Sequence, residues 1–306
     1  MKHTFTLFIL ASIGLNSCAQ NIDSTDIFKE IKVIEDSVNL VDYSLQNVQL
    51  SSENKHLIKS GTTLETRIIT PNLFSRTSES DTSFGVYLRH LPLKPHGAEV
   101  MLYNGTYKSN YNVYDAVIDL EIGKRDLHQC ADAVMRLWAE YLWTNKRYED
   151  IHFNFTNGFQ VDYSKWMQGY RVAVNGNKTK WIKRTSPSNS YKDFWKYMEL
   201  VFSYAGTLSL SKELVHIPKD EMKIGDVFIW GGSPGHAILV IDMALNPQTK
   251  EKLFLLSQSY MPAQETQILK NPTNSTLSPW YSLSDLKQEL ETPEWNFNVN
   301  DLKRFK

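Results

Sequence analysis

Apolar positions along the chain fall into three kinds of run. The first, 5–14, is almost continuously apolar and sits behind a positive charge at Lys2. It is far shorter than the ~20 residues a membrane helix needs. The second kind is strand-like. Residues 84–91, 99–103 and 111–122 are predicted as strands, the last closed by the turn signal Gly123, and 226–230, 236–244 and 253–260 form a later set. The third kind is helical. In 130–143, Ala133, Val134, Leu137, Trp138 and Leu142 recur at helical spacing with Arg136 and Glu140 between them. Asp126 is the expected cap of this helix. Residues 190–204 are a second predicted helix. Strands, then a helix, then more strands suggest an α+β fold rather than alternating βαβ units.

Between the two sets lies an aromatic, irregular stretch, 151–215, with Trp166, Tyr170, Trp181, Tyr191, Phe194, Trp195, Tyr197, Phe202 and Tyr204. Such density is expected to be core and wall, with a substrate groove as the alternative. No internal repeat or low-complexity tract interrupts the pattern.

The N-terminal run reads as an export signal. It ends in Leu15-Asn16-Ser17-Cys18, which resembles the bacterial lipobox, where the cysteine is lipidated and becomes the mature N-terminus. A plain cleaved signal with a chance cysteine is the alternative. Expected domains are therefore a signal peptide over 1–17, a lipidated tether and short packing segment over 18–60, and one domain over 61–306 with an insertion at about 151–215. The expected location is the cell envelope, lipid-anchored after export, on a periplasmic or outer-membrane face.

Composition narrows the function. Among 306 residues, 33 Lys and Arg balance 34 Asp and Glu, which removes the usual reason to expect nucleic-acid binding. Two cysteines cannot build a disulfide scaffold or a four-cysteine zinc site. Residues 231–235 are glycine-rich but lack the Gly-Lys-Ser/Thr ending of a phosphate loop. Asp126, His128, Cys130 and Asp132 match no common zinc spacing. No cofactor or metal is expected.

With Cys18 assigned to lipid, Cys130 is the remaining thiol. It stands where a loop enters a helix, and the positive end of the helix dipole is expected to favour the thiolate. A nucleophile needs a base and a group that orients the base. His236 has the matching context: 226–230 reads as a strand, 231–235 as a tight turn, and His236 opens the next strand. Asp242 lies on the same face but ~20 Å along that strand, too far to orient it. Return pairing is expected to set 258 or 259 opposite 236, which makes Gln258 the favoured orienting residue, with Ser257 and Ser259 as lesser candidates. Gln129, Asp132, Tyr260 and Gln264 are the candidate substrate-binding residues.

A cysteine at a helix start, Gly-Asp-Val and Gly-His on adjoining strands, and a polar residue on the next strand resemble the NlpC-type and wider papain-like peptidases and amidases. The segments His128-Gln129-Cys130-Ala131-Asp132-Ala133-Val134-Met135-Arg136-Leu137, residues 231–236, and Gln258-Ser259-Tyr260-Met261-Pro262-Ala263-Gln264 more closely resemble an uncharacterised lipoprotein family, domain of unknown function 4846. The first resemblance implies a papain-like core and a Cys130–His236–Gln258 hydrolase or amidase, with a peptide or peptidoglycan amide as envelope substrate. The rival expectation is a non-catalytic envelope lipoprotein that binds peptide or glycan on the same fold. A structural lipoprotein of an envelope complex is a third.

Overall fold

Two of the expected strands are apolar almost without alternation, the pattern of strands covered on both faces. They become the centre of the molecule. The structure, a computed structural model, describes residues 55–306. The export signal and Cys18 lie outside the described residues. In chain order the elements begin with α1 (Leu64–Arg67), β1 (Ser75–Arg76), α2 (Phe84–Arg89), β2 (Tyr114–Val117) and α3 (Cys130–Thr144). The aromatic stretch supplies β3 (His152–Asn154), β4 (Gln160–Asp162), α4 (Tyr163–Met167), β5 (Tyr170–Asn175), β6 (Lys178–Lys183), α5 (Tyr191–Tyr204) and α6 (Thr207–Glu213). Then follow β7 (Val215–His216), β8 (Val227–Trp230), β9 (His236–Leu245), β10 (Lys252–Gln258), β11 (Gln267–Leu269) and β12 (Tyr281–Ser282). The chain ends with β13 (Glu289–Glu291), β14 (Asn296–Asn298) and β15 (Leu302–Arg304).

The main sheet runs β2-β11-β10-β9-β8-β15-β7, with β1 on β9 and β12 on β10. Every pairing in it is antiparallel, so the described chain is α+β. Period-two alternation along β9 serves two cores. Ala237, Leu239 and Ile241 join α3 (Ala131, Val134, Leu137) and the aromatic segment, whereas Ile238 and Val240 join Phe254, Tyr281, Leu290 and Phe297 on the opposite face.

Several expectations change. Residues 84–91 form no strand: Ser83 accepts from the Val86 N–H and caps α2, and Phe84 and Leu88 bury one helical face. The period there is four, not two. Residues 99–103 make only isolated bridges, Met101 with Tyr107 and Leu102 with Gln264, because the chain reverses at Asn104-Gly105 before a ladder can grow. The strand expected over 111–122 shrinks to β2 because 111–113 winds into a 3-10 turn.

Asp126 does not cap α3. Gln129 is the N-cap residue, and Asp126 Oδ1 accepts instead from Gln129 Nε2 and the Ala263 N–H. The aromatic stretch is mainly core, as expected: Phe153, Tyr163, Phe194 and Tyr197 are fully buried, and rings pack on rings, Tyr163 on Tyr197 at 5.1 Å for example. No helix among the described residues is long and apolar enough to cross a membrane.

Candidate active site

Cys130 is the first residue of α3, where helical N–H groups lack intrahelical partners. Asp132, two residues on, reaches back so that its Oδ2 accepts from the Gln129 N–H at 3.1 Å. The N–H groups of Cys130, Ala131 and Ala237 act on the sulfur and favour its thiolate. Burial outweighs them, and the Asp132 carboxyl adds to it, so the thiol is pushed up to about 11. A helix end supplies at most ~2 kcal/mol in favour of an anion, and here it does not set the balance. The helix start favours the thiolate as expected, but burial outweighs it and the resting group is a neutral thiol.

His236 opens β9 directly opposite Trp230 of β8, after the 231–235 turn. That turn needs glycine for close approach. A Cβ on Gly235 would lie 2.3 Å from Thr207 Oγ1 and 2.8 Å from the Trp230 carbonyl oxygen. The imidazole is boxed by Tyr260, Trp295 and Phe297, with ring centres at 4.9, 5.5 and 5.8 Å. Burial among these rings lowers its pKa to about 4, although the bond to Gln258 pulls the other way. His236 is therefore neutral at pH 7. The Ala237 N–H, next along the chain from His236, is among the groups that favour the Cys130 thiolate, while the cleft beside Cys130 is lined by residues 232–235 of the turn and not by the imidazole itself.

Gln258 Oε1 lies 2.9 Å from His236 Nε2. The contact arises by a different route from the one expected. Ser257 pairs with Leu239 after a bulge at Leu255/Leu256, a register that continues to Tyr260, not Gln258, opposite His236. Gln258 reaches the ring as a diagonal neighbour on the same face. Behind it, Gln258 Nε2 donates to Glu294 Oε2 at 2.7 Å. Lys108 Nζ donates to that same oxygen at 2.9 Å, and Asn110 Nδ2 to Glu294 Oε1 at 3.1 Å.

The remaining candidates divide. Tyr260 packs edge-on to His236 and lies under Lys108 Nζ at 5.2 Å. Gln264 is buried, its Oε1 accepting from Lys108 and Gln267 and its Nε2 donating to the Pro262 carbonyl, so its amide supports the neighbouring loops. Gln129 and Asp132 line a cleft beside Cys130. Ser259 ties the carbonyls of His128 and Gln264, and Ser257 Oγ is buried without a partner; neither stands in for Gln258. Asp242 is held by Arg76 and Arg89, each at 2.7 Å, far from the ring. Glu294 and Lys108 were not anticipated. Lys108 and Glu294 are 186 positions apart and carry no motif; only their burial, at 11% and 6% side-chain exposure for Glu294 and Lys108, marks them.

The cleft has a volume of about 230 Å³, with Cys130, Asp132, Phe202, Thr207, Gly235 and Met261 in its wall. Its lining residues include Asp126 and Asp132 and no Lys or Arg. Asp132 Oδ1 is buried without a partner, and burial holds that carboxyl well above the usual range. Among the described residues, no group of three His, Cys, Asp or Glu side chains is gathered closely enough to hold a metal ion.

No curated protein and no solved structure matches the chain. Residues 64–304 match the family described as Domain of unknown function (4846), a span that takes in every site residue from Lys108 to Glu294. The chain belongs to that family.

Proposed function

We propose that the protein is a cysteine hydrolase or amidase of the cell envelope, lipid-anchored through Cys18, with Cys130 as nucleophile, His236 as base and Gln258 as orienting group on a papain-like core. The observation that carries this reading is the 2.9 Å contact of Gln258 Oε1 with His236 Nε2. It occupies one ring nitrogen and leaves Nδ1 free to act as the proton acceptor, on a histidine whose chain neighbour Ala237 directs its N–H at the thiol. Because both groups rest neutral, proton transfer accompanies attack rather than preceding it.

Cys130 Sγ bonds to the amide carbon while its proton passes to His236 Nδ1. The carbonyl oxygen takes up the electron pair and is met by the Cys130 N–H at the helix start. Collapse expels the amine, which receives the proton from Nδ1 and leaves a thioester. Water then gives a proton to Nδ1 and adds to the thioester carbon. Release of the carboxylic acid returns that proton to the sulfur.

The wall chemistry supports substrates whose acyl side is neutral or cationic, since the lining carries Asp126 and no Lys or Arg to pair an anion. Exposed Trp230 and Met261, at 52% and 54%, flank the site as apolar contacts for a peptide chain. A peptidoglycan peptide is the substrate class that the expected location favours.

A second reading has its own support. A buried thiol raised to about 11 suits a protein that binds envelope peptide or glycan without turnover. Digestion of purified peptidoglycan by wild type and Cys130→Ala, read by mass spectrometry, separates the two. Wild type is expected to release fragments with newly hydrolysed amides and Cys130→Ala none. Identical products from both proteins would remove the hydrolase reading.

A further inference from the structure

The amide of Gln258 can face His236 in two ways, and only one serves a base. With Oε1 toward the ring, His236 Nε2 carries the proton and Nδ1 keeps its lone pair. With Nε2 toward the ring, the imidazole turns to the opposite tautomer, and the nitrogen left for the thiol is already protonated. Amide orientation is thus a choice between an active and an inactive base.

We propose that Glu294 is a positioning residue that makes this choice: its Oε2 accepts from Gln258 Nε2, aims Gln258 Oε1 at His236 Nε2, and so holds the imidazole as the Nε2–H tautomer. This rests on the hydrolase reading above for its purpose, though not for its geometry. The carboxylate oxygen that takes Gln258 Nε2 at 2.7 Å also takes Lys108 Nζ at 2.9 Å, so toward both it is an acceptor. A flipped amide would set Gln258 Oε1 against Glu294 Oε2, two acceptors at hydrogen-bond distance in a site from which water is largely excluded.

Lys108 secures the carboxylate in turn. Its ammonium spans Glu294 Oε2 and Gln264 Oε1, at 2.9 and 3.1 Å, and lies over the Tyr260 ring. Gln264 Oε1 is itself fixed by Gln267 Nε2 at 3.2 Å. The order of control therefore runs from Lys108 to Glu294, to Gln258, to the histidine. Glu294 and Trp295 sit on the connection between β13 and β14 and Phe297 on β14 itself, and both rings pack on the imidazole. One hairpin supplies both the packing of the base and its tautomer.

The test is the ring ¹⁵N spectrum of His236 in the full chain at neutral pH, assigned by loss of its signals in His236→Gln. Wild type is expected to show the Nε2–H pattern. Glu294→Ala is expected to lose that preference. Glu294→Gln, whose Oε1 can accept from both Gln258 and Lys108, is expected to keep it. If Glu294→Ala leaves Lys108 buried and unpaired and does not fold, the neutral pair Glu294→Leu/Lys108→Met removes the acceptor without stranding a charge.

Base-assisted alkylation of Cys130 is expected to fall about ten- to a hundredfold in the variants that lose the tautomer, and to recover in Glu294→Gln. A folded Glu294→Ala or double variant with the wild-type ring spectrum overturns the proposal, as does a wild-type Nδ1–H pattern. Failure of the hydrolase reading looks different: wild type would show the Nε2–H pattern yet neither turnover nor His236-dependent alkylation.

Discussion

His128 and His236 are both neutral in the fold, for the same reason and with the same consequence. Burial lowers His128 to about 3, helped by Arg136, and lowers His236 to about 4. Above the unfolded value of about 6.5 neither state holds the extra proton, so nothing is lost. As pH falls from there toward 4 and then 3, the unfolded chain binds protons that the folded one refuses, and stability declines. At about 1.4 kcal/mol per pH unit of difference, His236 alone accounts for roughly 3 kcal/mol. Denaturant midpoints are expected to fall across this window, and His128→Asn to flatten the fall.

Asp132 runs the other way, being raised by burial, so its contribution is regained as pH drops. Its charge also opposes the thiolate. Asp132→Asn is expected to lower the titration midpoint of Cys130 by about one pH unit, followed by thiolate ultraviolet absorbance. At this scale the sequence made Cys130, His236 and Gln258 legible, because each sits at an element boundary with a local signature. Glu294 and Lys108 had none. A hydrogen bond across 186 positions depends on how two loops meet.

Elements set the approach of these residues. Helix α6 presses Thr207 against the 231–235 turn, so that turn tolerates no Cβ at Gly235. Gly235→Ala is expected to cost about 1–3 kcal/mol, as overpacking does, and to slow Cys130 labelling by displacing His236. Denaturation and labelling on the same sample check both effects. The element types were readable where one face recurs over many residues, as in α3 and α5, or where an apolar run is long and unbroken, as in β9 and β10. Short pieces misled. In α2 a six-residue run carries too few periods to separate helix from strand, and the deciding signal is the Ser83 cap. The bulge at Leu255/Leu256 has no composition signal, yet it shifts every pairing toward the site.

Across the whole molecule, β9 links two ends with different duties. His236 opens it just after the turn that lines the cleft, while Asp242, ~20 Å along, ties Arg89 of α2 and Arg76 of β1 to the sheet. Asp242→Ala leaves two largely buried guanidiniums without their carboxylate and is expected to cost about 3–5 kcal/mol. Labelling of Cys130 in the folded fraction is expected to stay at the wild-type rate, which separates anchoring from chemistry. The α+β class followed from the order of runs. The two-sided burial of the sheet was visible in the unbroken apolar character of β9 and β10, but which segments cover each face was not. Nothing local says that 281–299 folds over one side and α3 over the other.

The claim that unites these scales is that Cys130 is a neutral thiol made reactive by His236. Its most direct measurement is the rate of iodoacetamide labelling at Cys130, located by peptide mapping in the folded full chain, from pH 5 to 10 in wild type and His236→Ala. Wild type is expected to label at a rate nearly flat in pH above the histidine's value of about 4, because the base supplies what the thiol lacks. His236→Ala is expected to label far more slowly at pH 7 and to climb with pH toward the thiol's own value of about 11. Identical profiles in the two proteins, or labelling only after denaturation, would contradict the account.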